Sequence, residues 1–217
     1  MKLKTSLISA AAAVALGALS LPAAAEIYNF NSTAVPEFGA PTYGYVELTQ
    51  AGFDVNFKVV LDPEFNFVTT GNHFVFAFNG NDVSLGDIGE ITDADLNTYA
   101  KTSTSVVNPP FGTFQFGISC LSNCEKGGSK GGYEDPLMFT VANSVISDFL
   151  VLSTGAGTLG PAYFSADVLG VDKTLPSSGF TGSIGVTAAV PEPETYALML
   201  AGLGAIGFMA KRRRKAA

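Results

Sequence analysis

Phe53-Asp54-Val55-Asn56-Phe57-Lys58-Val59-Val60-Leu61, stopped by Asp62-Pro63, is the stretch that decides the fold. In an extended chain Phe53, Val55, Phe57, Val59 and Leu61 fall on one side and Asp54, Asn56 and Lys58 on the other, the period-two pattern of a strand with one buried face. The pattern recurs at Phe74, Phe76 and Phe78, at Phe114, Phe116 and Ile118, and at Leu137, Phe139 and Val141. It returns at Phe164, Ala166 and Val168, and at Phe180, Ile184 and Val186 with Gly182 in the remaining place. With 27–32, 43–49 and 145–152 this makes about nine strands, separated by Gly, Pro, Asn and Asp. The expected fold class is all-β: an antiparallel, jelly-roll-like β-sandwich of two sheets packed face to face, with a barrel as the alternative. With 17 Phe and no Trp, its core should be Phe-rich. Thr92-Asp93-Ala94-Asp95 has the form of a capping box, so 93–100 is expected to be the one short helix.

Both ends of the chain stand apart from this pattern. Lys2 and Lys4 precede an apolar stretch from Leu7 to Leu19, and Ala23 with Ala25 supplies an A-x-A cleavage site; 1–25 is expected to be a signal peptide, with the mature chain starting at Glu26. At the other end, Pro191-Glu192-Pro193 leads into an uncharged run from Thr195 to Ala210 and then into Lys211, Arg212, Arg213, Arg214 and Lys215. As a helix the run 195–210 would be about 24 Å long. That is short of a ~30 Å hydrocarbon core, so it spans by thinning the bilayer or by snorkelling of its ends. The basic cluster stays on the cytoplasmic side, which places everything before it outside. The plainer alternative is a C-terminal anchor that is never cut.

A Pro-Glu-Pro triplet, a short membrane segment and a terminal basic cluster, in that order, resemble the PEP-CTERM sorting signal of bacteria that make exopolysaccharide. The resemblance implies recognition and cleavage by an exosortase, a membrane cysteine transpeptidase, and covers 190–215. The body more loosely resembles other cargo carrying this signal, and that likeness supplies no site. Two further motifs are decoys. Gly202, Gly204 and Gly207 spell G-x-G-x-x-G inside the membrane segment, where close helix packing is the natural role. Leu175-Pro176-Ser177-Ser178-Gly179 departs from a sortase motif at Ser178.

Between the ends, 26–190 is long enough for one domain with a real core. It carries 17 acidic residues against five lysines, a net charge of −12. Such a body repels nucleic acid and anionic lipid surfaces. Cys120 and Cys124, close together in an exported chain, are expected to form a small disulfide loop worth about 1–2 kcal/mol, with redox or metal chemistry as the alternatives. A zinc site lacks ligands, since His73 is the only histidine. His73 itself reads as a solvent-facing strand residue with no motif supplying a nucleophile. Asp93, Asp95 and Asn97 match the opening of an EF-hand loop and are the candidate calcium ligands, although Thr98 and Thr104 occupy the positions of its glycine and glutamate. A merely solvated acidic loop is the alternative, and no other cofactor is implied.

The expected protein is therefore a non-enzymatic, exported one. It is handled by an exosortase, held in the membrane through its C-terminal helix before processing, and then placed at the cell surface or in the exopolysaccharide matrix. A carbohydrate-binding module for that polysaccharide is the alternative, with Tyr28, Tyr43, Tyr45, Tyr99, Tyr133 and Tyr163 as stacking platforms. A hydrolase using paired carboxylates comes third.

Overall fold

The computed structural model describes residues 25–39, 41–71, 73–93, 98–104, 106–122 and 136–187. Among them the strands are β1 (Ala25–Asn29), β2 (Ser32–Thr33), β3 (Gly44–Ala51), β4 (Asp54–Leu61), β5 (Phe65–Phe67), β6 (Phe76–Phe78), β7 (Thr98–Thr102), β8 (Val106–Val107), β9 (Thr113–Phe114), β10 (Phe116–Ser122), β11 (Leu137–Val141), β12 (Phe164–Gly170) and β13 (Thr181–Val186). One open antiparallel sheet has the order β1-β3-β4-β11. A second runs β2-β13-β12-β6-β10-β7 with β5 beside β12, and β8 and β9 form a separate ribbon. All-β and antiparallel, as the alternation requires, the chain folds its two open sheets around a shared core.

The inward residues of β4, Val55, Phe57 and Val59, meet Phe76, Phe78, Phe116 and Phe164 of the opposite sheet in that core. Phe57 stacks on Phe139 at 4.5 Å, meets Phe149 edge-on at 4.7 Å, and lies 5.3 Å from Phe78 across the two sheets. Offset and edge contacts of this kind add to the burial of apolar area.

The outer face of the second sheet carries another layer. Ser165 and Asp167 of β12 point away from the main core and are nevertheless fully buried. Small residues let the covering segments approach closely: a Cβ on Gly117 would lie 2.5 Å from the Phe74 ring, and one on Gly185 2.6 Å from Phe111. Phe111 and Phe114 belong to this second cluster, with Phe74 packed against it. Asn108 fixes the layer by accepting from the Phe74 N–H at 2.8 Å and donating to the Phe74 carbonyl at 3.1 Å.

The edge of β11 is also covered. Ile88 and Thr92 bridge to Val141 and Met138, with the Gly89 N–H donating to the Thr140 carbonyl at 2.7 Å and the Thr92 N–H to that of Met138 at 2.9 Å. Four residue steps on one side oppose three on the other, so the stretch between Ile88 and Thr92 carries a bulge, with Ile91 turned into the core, and covers the edge of β11.

Several expectations are corrected. The segment 145–152 is not a strand: Ile146–Phe149 is a 3-10 turn, because Ile146 and Phe149 are buried three residues apart and Asp148 accepts from the Val145 N–H at 2.9 Å. The expected helix at 93–100 is absent where it is described. Residues 98–100 lie in β7, paired with β10, and the Thr92 hydroxyl donates to the Met138 carbonyl at 3.3 Å instead of capping. Phe74 and Phe114 face the outer layer, not the core of Phe76 and Phe116. Phe53 lies outside β4, 86 % exposed in the turn that Gly52 makes at φ +67°.

Candidate functional site: grooves beside the bulged edge and a buried aspartate

The alternation that buries one face of β3, β4 and β11 displays the other. The pairing register aligns Glu47, Lys58 and Met138 in one transverse row and Thr49, Asn56 and Thr140 in the next. These rows floor a groove of about 530 Å³ walled by Gly89, Glu90 and Thr92. Lys58 Nζ lies 3.9 Å from Glu47, with both side chains partly exposed, a loose pair that water screens. The Thr140 hydroxyl donates to Asn56 Oδ1 at 2.7 Å, which fixes the amide and leaves its N–H groups turned to the groove.

A second groove of about 510 Å³ lies across the bulge, where Tyr99 and Lys101 of β7 face Glu90 and Thr92. Lys101 Nζ donates to the Ile88 carbonyl. Asp93 is buried and accepts from the Tyr99 hydroxyl at 2.6 Å. Of the expected calcium ligands, Asp93 is thus turned into the protein, while Asp95 and Asn97 lie outside the described residues. Among the described residues no group of three or more His, Cys, Asp or Glu side chains could hold a metal ion. Asp87 accepts from the Ser84 N–H and hydroxyl, which hold its carboxyl below the usual range.

Sequence reasoning missed Asp167. Residues 68–71 and 73–75, between β5 and β6, lie over β12, with the Val68 N–H donating to the Asp167 carbonyl and the Asp167 N–H to that of Val75. The Asp167 side chain, fully buried, accepts from the Thr70 N–H at 2.8 Å and the Thr70 hydroxyl at 2.6 Å. His73 Nδ1 lies 3.5 Å from its other oxygen, an ion pair when the imidazole is protonated, and neither atom makes a hydrogen bond. His73 is therefore a half-buried loop residue tied toward a carboxylate, and not a solvent-facing strand residue. The available signal was a lone charge inside Phe164–Gly170, a strand otherwise made of apolar residues, Gly170 and one serine.

Burial raises the Asp167 carboxyl above its ordinary value of 3.8, against the lowering effect of Thr70 and His73. A carboxyl that keeps its proton longer when folded gives its full stability contribution below the unfolded value, and that contribution is lost as pH rises through the folded value. Asp167→Asn retains an acceptor for Thr70 without the buried charge. Thermal melts of the variant against the native chain, from about pH 4 to 7, are expected to show a melting-temperature difference shifting in the variant's favour as pH rises. A difference that is flat with pH contradicts this account of Asp167.

The remaining expected sites fall largely outside the described residues. Cys120 ends the core-packed part of β10, while Cys124 is not described. Ala23, the sorting triplet Pro191 to Pro193, the segment 195–210 and the basic tail 211–215 are likewise outside, and Ala25 opens β1 opposite Thr49. Among the described residues no helix is long and apolar enough to cross a membrane.

Fold and grooves together define a β-rich body of two open antiparallel sheets with a polar outer face. Comparison with known proteins adds its address: residues 189–214 match the family model of the PEP-CTERM protein-sorting motif. The match is confined to this tail, which begins just beyond the end of β13, and implies an exported protein sorted by an exosortase. No curated protein and no solved structure matches the chain.

Proposed function

We propose that this is a non-enzymatic exported protein, cleaved by an exosortase and released from its C-terminal membrane helix to act at the cell surface or in the exopolysaccharide matrix. The observation that carries this reading is the sorting motif at 189–214. It begins three residues beyond the end of β13 at Val186. In cells lacking the exosortase, the chain is expected to stay in the membrane fraction, and in its presence to leave it. Equal fractionation in both strains contradicts the proposal.

A second reading, a carbohydrate-binding module, is favoured by the polar groove on the outer face of β3, β4 and β11. Its test is cosedimentation of the exported chain with the producer's own polysaccharide, in calcium and in chelator. Saturable binding supports it, and loss of binding in chelator would bring in calcium at the loop of Asp93, Asp95 and Asn97. Absence of binding in both conditions removes this reading.

A further inference from the structure

We infer that the groove on the outer face of β3, β4 and β11 binds a neutral polysaccharide chain, through Glu47, Asn56, Lys58 and Thr140 with Met138 at one end. This rests on the carbohydrate-binding reading and assigns its site and ligand class.

The chemistry of the floor points to hydroxyl-rich ligands. Neighbouring strands lie about 4.8 Å apart, so each transverse row offers polar groups at close, fixed intervals. Glu47 only accepts, the Lys58 ammonium only donates, and the Asn56 amide presents its N–H groups because Thr140 holds its oxygen. A sugar hydroxyl both donates and accepts and can bridge Glu47 to Lys58 across their 3.9 Å gap. Met138, 40 % exposed at the end of the Glu47 row, offers a soft apolar surface to the C–H face of a ring. Thr140 holds the Asn56 amide in place before any ligand arrives, which lowers the ordering cost of binding there.

Charge and shape narrow the class further. Lys58, Lys101 and Lys173 are the lysines and arginines among the described residues, and two of the three line the paired grooves, beside Glu47, Glu90 and Asp93. The grooves carry two cations against three carboxylates on a body of net charge −12, whose long-range field repels a polyanion and leaves a neutral chain unopposed. A peptide adding as a strand beside this groove would need the edge of β11, which 87–92 already covers. The two open grooves adjoin across Gly89, Glu90 and Thr92, which line both.

The test is affinity electrophoresis of the full exported chain through gels containing a neutral glucan, a neutral galactomannan or a polyuronate. Retardation by at least one neutral polymer and not by the polyuronate is expected. Lys58→Ala and Asn56→Ala should each weaken it by about tenfold, the loss of a strong hydrogen bond, with Lys173→Ala unchanged. Lys58→Gln, which keeps the stem, stands in if the alanine variant lowers the melting temperature. Native retardation that survives every groove variant overturns the site and leaves the carbohydrate-binding reading standing. No retardation by a neutral polymer overturns the inference: the ligand class is wrong if the polyuronate alone retards, and if it too is inert the carbohydrate-binding reading is decided by cosedimentation with the producer's own polysaccharide.

Discussion

Replacing Phe57 by alanine is expected to lower the stability of the folded body by about 3–5 kcal/mol, the range for truncating a buried aromatic side chain. Phe57 is 2 % exposed and contacts rings from both sheets and from the 3-10 turn: Phe139, Phe149, Phe78 and Phe164. Removing it opens a cavity between sheets whose separation is fixed by neighbouring strands, so relaxation cannot fill the space. Against a total of about 5–15 kcal/mol for a typical domain, this is a large share. The comparison that isolates the cause is Phe53→Ala, four residues earlier in the same apparent stripe. Phe53 is 86 % exposed, and its loss should change stability by no more than about 0.5 kcal/mol. Denaturant midpoints of the two variants measure both. Equal effects would show that the sheets do not pack through Phe57.

The second large effect concerns the address. Replacing Pro191, Glu192 and Pro193 together by alanine is expected to leave the body folded and exported, because none of the three lies within the described strands, and to abolish processing of the tail. The uncharged run and basic cluster remain, so the variant stays in the membrane fraction as an ordinary anchored protein. Release at the native rate would mean that the triplet plays no part in recognition. The distinction matters because a short apolar segment with a basic end suffices for anchoring alone, and only the triplet separates a sorting signal from an anchor.

The alternation around Phe57 made the sandwich legible, since one face of β4 is buried and the other wet, and each period-two residue declares its side. Where both faces are buried the same signal misleads. Phe74 and Phe114 alternate correctly with Phe76 and Phe116, yet they lie under a second layer that local sequence cannot announce. The segment 145–152 reads as a strand because its apolar residues are dense; the bond from the Val145 N–H to Asp148 and the i, i+3 burial of Ile146 and Phe149 turned it into a tight turn. Asp167 escaped notice because its partners, Thr70 and His73, are 97 and 94 residues away. The floor of the groove was visible only as ordinary polar residues on the wet side of strands. Register, which sequence does not encode locally, brought Asn56 beside Thr140 and Lys58 beside Glu47. The tail needed no fold to be legible, since its order of triplet, apolar run and basic cluster is carried by the chain itself.

The most direct test of the account is the C-terminus of the exported protein, mapped by mass spectrometry of its terminal peptides from producing cells. The account predicts a terminus at or near Pro191 to Pro193, with no peptide from 195–217 in the released fraction. A released chain that still ends in the Lys211 to Lys215 cluster and Ala217 would contradict it.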